Sequence, residues 1–317
     1  MLDTTTPTTW ADDAPPSTRR CTCCEGRRLT ALFAKEGDRY LRCGTCGVVL
    51  LEGESDARAA AELYDHLYAR FNGFDPLTEA RYAERLRHLE RYRRLNRLLD
   101  VGCGAGHFLE VARKHDWQGE GTEISEQACG LIRQRGITMH RGMLSELRLP
   151  ADHYDIVVML ELLEHVENPR AYLAEARRLL RPGGALLAST PNFNGLTRRL
   201  IGPEWRICGS EHLHYFTRRS LRRLLHTVGF NRVRIACLNW NPYDMLMSRR
   251  WGRWRHAPRR DGTTTASGTA REAEQRLRRR IYANPLLRLA KNGMNAALSL
   301  AGAGDTLWVT AVRPGTD

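Results

Sequence analysis

Between Arg97 and Leu238 short apolar strands alternate with amphipathic helical stretches, and this alternation leaves few folds open. The pattern predicts strands at Arg97–Val101, Trp117–Glu123, Ile137–Arg141, Tyr154–Leu160, Ala185–Thr190 and Arg232–Leu238. It predicts helices at Gly106–Lys114, Glu126–Arg135, Pro169–Leu180 and Arg218–Val228, and a last strand at Thr306–Val312. Parallel strands need a long crossover connection, and a helix supplies it while covering the sheet. Tyr154–Leu160 (YDIVVML) is apolar throughout, as a strand buried on both faces must be. The expected fold class is therefore α/β, with a doubly wound, mostly parallel sheet.

The first strand runs into Asp100-Val101-Gly102-Cys103-Gly104-Ala105-Gly106 and then into a helix. Glycines at a strand-to-helix turn let backbone approach a ligand closely, and the helix start offers free N–H groups. A glycine loop alone does not say which cofactor it serves. Asp100 suits an ammonium group, and Glu123, at the end of the second strand, is placed to take ribose hydroxyls.

The runs DVGCGAGHFLEVAR, GTEIS, DIVVMLELLEHVENP, LLRPGGALLASTPN and EHLHYF together resemble the class I methyltransferases that use S-adenosylmethionine (SAM). The branch most similar includes ubiquinone-pathway O-methyltransferases, and the resemblance covers residues 97–238. It implies a seven-stranded Rossmann-like sheet with SAM at the carboxyl ends of the strands. It also implies that Gly102 and Gly104 lie against the methionine end, that Glu123 binds ribose and that Ile124 packs on adenine. Leu160 and Glu161 would face the methionine end and the acceptor. Many relatives carry an acid after the third strand. Here the run is Arg141-Gly142-Met143-Leu144, so adenine would rest on backbone or apolar contact with Met143 and Leu144.

Methyl transfer from a sulfonium asks the protein to align a nucleophile and remove its proton. Glu161, Glu164 and His165 follow the fourth strand, where an acceptor would sit, and an imidazole can take a proton near neutral pH. The same three side chains could instead hold a divalent cation, or His165 could order its own loop. His212 and His214, in the run Glu211–Phe216 after Trp205, form a second candidate cluster on the acceptor side.

Five of the nine cysteines fall between residues 21 and 51. Cys21-x2-Cys24 and the later Cys43-x2-Cys46 together have the spacing of a four-thiolate zinc site. Four protein ligands leave no open position, so the predicted zinc is structural, and Cys23 is a surplus thiol. So short a segment buries little core and gains from a metal.

The expected organisation is a disordered tail at 1–20, a zinc ribbon at 21–52 and a helical lid or linker at 53–95. The methyltransferase core follows at 96–240, then a basic helical insertion at 241–303 and the last strand of the core at 304–317. The net charge of +13 comes from 46 arginines and only Lys35, Lys114 and Lys291. Eleven of those arginines lie between Arg249 and Arg280 against Asp261, Glu272 and Glu274. Such density raises RNA methylation as an alternative. Against it, the fourth strand ends in Leu-Glu-Leu-Leu-Glu-His, not in an Asn/Asp-Pro-Pro-Tyr/Phe motif, and Asn241-Pro242-Tyr243 occurs too late in the chain. A small-molecule or sugar-containing acceptor, methylated at oxygen, is the leading expectation, with nucleic acid second and a non-catalytic SAM-binding scaffold third. No stretch approaches the roughly 18 apolar residues of a membrane span, and the polar N-terminus lacks a secretory apolar segment. The expected location is cytoplasmic, and the oligomeric state stays open.

Overall fold

A computed structural model describes residues 19–53, 76–209, 211–240 and 284–315. Most of the expected tail, the first part of the expected helical lid or linker (54–75) and the arginine-rich 249–280 lie outside the described residues.

Seven strands form one sheet: β4 (Arg97–Val101), β5 (Gln118–Glu123), β6 (Thr138–Arg141), β7 (Tyr154–Leu160), β8 (Leu180–Pro191), β10 (Asn231–Leu238) and β11 (Thr306–Val312). Their spatial order is β10-β11-β8-β7-β4-β5-β6. The β4–β5, β5–β6, β4–β7 and β7–β8 pairs are parallel; β11 runs antiparallel to both neighbours. The chain leaves β4 toward β5 and β6, then returns to start β7 on the other side. That reversal makes the carboxyl ends of β4 and β7 a topological switch point, the place where open α/β sheets bind ligands.

Side-chain alternation along the strands divides the core into two layers. Leu99, Val101, Val157, Met159, Leu186 and Ala188 pack with α4 (Pro169–Leu179) and α6 (Arg218–Val228). Leu98, Ile156, Val158, Ala185 and Leu187 pack with α1 (Pro76–Leu89), α2 (His107–Lys114) and α3 (Glu126–Arg133). Helix α4 starts as its sequence dictates: Asn168 accepts from the Ala171 N–H and Pro169 opens the first turn. It ends at Leu179, and β8 begins at Leu180 rather than at Ala185, because Leu180 already pairs with Tyr154 across a register shift. Beyond β8 lie α5 (Leu196–Ile201) and the short β9 (His214–Tyr215). The described part of the basic insertion contains α7 (Pro285–Leu300), whose Ser299 and Asn295 side chains accept from the backbone of Cys237 and Asn239 around the end of β10.

The cysteine-bearing segment builds a second sheet from β1 (Leu29–Lys35), β2 (Asp38–Cys43) and β3 (Val49–Glu52). The order is β1-β2-β3-β9, so its fourth strand comes from the methyltransferase-like region far downstream. Phe33, Tyr40, Val49 and Leu51 bury one face of this ribbon against Phe193, Trp205, Cys208, Leu213 and Tyr215. Leu29, Leu41 and Leu50 join the main core from the other.

Candidate active site and metal centre

The glycine loop needs its glycines for two separate reasons. Gly102, Gly104 and Gly106 have φ of 66°, 54° and 79°, where L side chains are strained. A Cβ on Gly102 would also lie 2.8 Å from Leu162 Cδ1. The left-handed backbone alone costs a non-glycine roughly 1–2 kcal/mol. Gly102→Ala should therefore lower the chemical-denaturation midpoint as well as weaken the loop's ligand; an unchanged midpoint would contradict the strained geometry.

Glu123, at the end of β5, is 6% exposed and turns its carboxylate onto that loop. Its Oε2 accepts from Gly104 N at 2.9 Å, and its Oε1 from Ile124 N at 2.8 Å and Ser125 N at 3.2 Å. A carboxylate has about four acceptor sites, so Glu123 anchors the loop and still has capacity for a hydroxyl. Asp100 is buried beside it, and burial, then the Glu123 charge, raises its carboxyl well above the usual range. Two acids repelling one another at adjacent strand ends suit a ligand that brings an ammonium and hydroxyl donors. Ile124 and Leu160 are half-buried at the ends of β5 and β7. Met143 is half-buried and its N–H donates to Glu146, whereas Leu144 is 2% exposed and belongs to the hydrophobic core. The Leu144 side chain thus packs in the core, which leaves its backbone for the expected adenine contact.

Gly121, unremarked in the sequence, shows why β5 reads QGEGTE. A Cβ there would lie 2.6 Å from Met139 Sδ and 2.8 Å from Cys103 Sγ, so only glycine lets the loop settle on the strand.

Past β7, Glu161 has φ 51°. Its N–H donates to the Ser189 carbonyl at 3.0 Å, and its Oε1 accepts from the Ser189 hydroxyl at 2.6 Å. Burial raises its carboxyl, and the Ser189 hydrogen bond opposes that rise. Ser189, on β8 and remote from Glu161 along the chain, carries no signal in the sequence that it belongs here. Glu164 is 1% exposed, and neither carboxylate oxygen has a hydrogen-bond partner among the described residues. Burial, then the nearby Glu161, pushes Glu164 well above the ordinary carboxylate range.

His165 Nδ1 lies 2.8 Å from the Glu211 carbonyl and His212 Nδ1 lies 2.7 Å from the Ile207 carbonyl. A carbonyl only accepts, so both rings carry their proton on Nδ1 and keep the lone pair on Nε2. The rings are 4.5 Å apart. Ligand atoms of Glu164, His165 and His212 all lie within 4.8 Å of one another. Of the expected cation set Glu161, Glu164 and His165, the last two cluster with His212, while Glu161 lies outside that group with its Oε1 on the Ser189 hydroxyl. One buried carboxylate and two imidazole lone pairs make a donor set that fits a divalent cation.

Burial, then His212, pushes His165 down to about 4, against the upward pull of the Glu211 carbonyl. The folded ring therefore stays neutral where the unfolded one, near 6.5, takes up a proton. Stability contributed by His165 is complete above pH 6.5 and declines as the pH falls toward 4. An NMR titration of its ring protons without added metal should show a midpoint far below 6.5; a midpoint near 6.5 would place the ring in solvent.

His214 does not join this cluster. It is 3% exposed, stacks on Phe216, and its Nε2 lies 2.7 Å from the Thr22 hydroxyl in the cysteine ribbon. Burial, then the Arg19 charge, pushes it down to about 3. His214, within β9, thus meets the first knuckle through Thr22, whereas His212, in the turn before the strand, clusters with Glu164 and His165.

Cys21, Cys24, Cys43 and Cys46 bring their sulfurs together, with Cys21–Cys46 at 3.6 Å and Cys24–Cys43 at 3.5 Å. Burial acts to raise Cys43, but the backbone N–H groups of Cys46 and Thr45 overcome it and lower the thiol to about 7. Four thiols this close, two of them in tight backbone turns, fit a tetrahedral zinc. Cys23, though 3% exposed, packs in the core outside the set.

Comparison with known proteins bears on this geometry. A methyltransferase domain family matches residues 64–235, more than half of the chain. The chain is 34% identical over 117 residues to a ubiquinone biosynthesis O-methyltransferase of Cereibacter sphaeroides, a match covering 34% of this chain and 47% of that one. It is 29% identical over 160 residues to one from an Azoarcus species, covering 46% and 69%. The match to the first of these relatives thus spans about half of its length. A SAM-dependent methyltransferase structure from Archaeoglobus fulgidus superposes with a TM-score of 0.51 at 17% identity, covering 79% of this chain and 99% of that one. One from Thermotoga maritima gives 0.50 at 16%, covering 80% and 98%. Sheet order, glycine loop and family match agree, and the chain belongs to the methyltransferase domain family.

Proposed function

We propose that this protein transfers a methyl group from SAM to an oxygen of a small, biosynthetic acceptor. The observation that carries this reading is the buried Glu123 carboxylate folded onto the glycine loop beside Asp100. Asp100 and the loop backbone would hold the methionine end of SAM, Glu123 the ribose, and Ile124, Met143 and Leu160 the walls around them. The bound cofactor supplies the electrophilic methyl group. On the acceptor side, His165 and His212 can take the acceptor proton, or with Glu164 hold a cation that lowers the acceptor's own pKa. Similarity to ubiquinone biosynthesis O-methyltransferases supports oxygen as the acceptor atom. Cys21, Cys24, Cys43 and Cys46 would bind one structural zinc. Among the described residues, no helix is long and apolar enough to cross a membrane.

Calorimetry with S-adenosylhomocysteine (SAH), the demethylated product, tests the cofactor site. Glu123→Ala should weaken binding by about 1.5–3 kcal/mol, the worth of hydrogen bonds to a charged acceptor. Unchanged affinity would remove Glu123 from the site, and absence of binding by the parent protein would defeat the reading.

A further inference from the structure

We propose that Lys35 and Thr22 of the cysteine ribbon are positioning residues for the acceptor side of the site: they hold residues 205–209 and 211–216, whose backbone carbonyls orient His165 and His212. The inference rests on the methyl-transfer reading above. Both imidazoles take their orientation from main-chain acceptors, Glu211 for His165 and Ile207 for His212. Those carbonyls belong to a long connection between α5 and α6, in which β9 is the one strand among the described residues. What holds that connection comes largely from the ribbon.

Lys35, the last residue of β1, donates from Nζ to the Cys208 carbonyl at 2.6 Å and the Trp205 carbonyl at 3.2 Å. These two acceptors bracket Ile207. A charged donor makes a stronger hydrogen bond than a neutral one, and one ammonium bridging two carbonyls fixes the turn that presents the Ile207 oxygen to His212. Thr22 sits in the first knuckle, between Cys21 and Cys24, and its hydroxyl meets His214 Nε2 at 2.7 Å. His212 lies just upstream of His214, and the backbone N–H groups of Leu213 and His214 both donate to the Glu164 carbonyl. The pairing of β3 with β9 and the Leu51 N–H to Leu213 carbonyl bond fix the same segment from its other side. Tyr215, its ring packed on Tyr40 of β2, donates its hydroxyl toward the Gly209 and Ile207 carbonyls. The ribbon is buried on one face by this segment and on the other by the main core. That leaves its role directed inward.

The experiment uses the full chain with its native metal content and two variants, Lys35→Met and Thr22→Val, with Thr22→Ser as the conservative control. SAH calorimetry, metal content and NMR of the histidine rings are measured on each. The expected result is SAH affinity and metal content like the parent's. The His165 and His212 ring resonances should shift or broaden, and amide exchange across residues 205–209 and 211–216 should quicken at least roughly tenfold. Thr22→Ser should restore the parent spectrum. With an acceptor in hand, Lys35→Met should lower kcat by about 10²-fold, the cost of a misplacement near 1 Å. Unchanged ring resonances and exchange in both variants, with SAH still bound, would overturn the proposal. Absence of SAH binding by the parent would instead overturn the cofactor reading. If Thr22→Val fails to fold or loses metal, Lys35→Met decides, since it lies outside both knuckles.

Discussion

His165→Ala should leave SAH affinity within a few-fold of the parent and lower kcat by about 10²–10⁴, the usual worth of a positioned acid or base. The separation follows from geometry. Asp100, the glycine loop and Glu123, the proposed cofactor residues, sit at the ends of β4 and β5, whereas His165 lies past β7 with its Nδ1 on the Glu211 carbonyl. If the ring is the base, the deficit should shrink at high pH, where the acceptor ionises unaided. If Glu164, His165 and His212 hold a cation, a chelator should abolish the parent's activity and Mg²⁺ or a similar ion should restore it. His212→Ala should then be as damaging as His165→Ala, while Glu161→Gln should be milder, because Glu161 is engaged with Ser189. Steady-state kinetics in the presence and absence of chelator separate the cases. A chelator-insensitive enzyme that retains most of its activity as His165→Ala would make His165 a purely structural residue.

If Cys21, Cys24, Cys43 and Cys46 hold the proposed zinc, replacing Cys46 with serine should release it and unfold the ribbon, the largest structural effect expected of any single change. Binding of a structural zinc is worth on the order of 10 kcal/mol or more to such a module, and the ribbon's own core is a single layer of side chains on either face. Elemental analysis of the parent, purified without added metal, should give about one zinc per chain, and the Cys46→Ser protein far less. Because β9 belongs to the ribbon sheet, limited proteolysis of that variant should cut near residues 205–216 as well as within 21–53. Loss of zinc with the 205–216 segment still protected would show that β9 and Tyr215 stay ordered without the ribbon. Rapid alkylation of all four cysteines in the native parent would rule out the metal itself. Cys103→Ser and Cys129→Ser should keep their zinc, since neither residue is in the four-sulfur cluster.

The fold is legible in the sequence because its signals are local. Continuous apolar runs define β4, β7 and the centre of β8, and Asn168-Pro169 marks the start of α4. The glycine loop is legible for the same reason, standing at the end of an apolar strand; Glu123 closes β5, whose run QGEGTE carries no apolar residue, and is legible from its place in the strand–helix alternation. The four clustered cysteines are local as well, two Cys-x2-Cys knuckles in one short segment.

The acceptor side is only half legible. Its residue types can be nominated from the sequence, but their partners cannot, since each partner is distant along the chain and lacks a pattern of its own. Ser189 claims Glu161, and Glu211 orients His165, each across a long stretch of intervening chain. Whether His212 or His214 faces Glu164 cannot be read from strand alternation, which would put residues i and i+2 on one face; His212 lies in the turn before β9, and His214 lies within the strand that β3 pairs. Residues close together in the chain dictate the α/β architecture, the cofactor loop and the cysteine cluster, and the order of amino acids is enough to find them. It takes the folded chain to show that the ribbon and the acceptor loop share one sheet, and so which imidazole turns to the site and which to Thr22. Strand pairing between β3 and β9 and the burial of Glu164 require segments far apart in the chain to meet, and local conformational preference carries no information about that meeting.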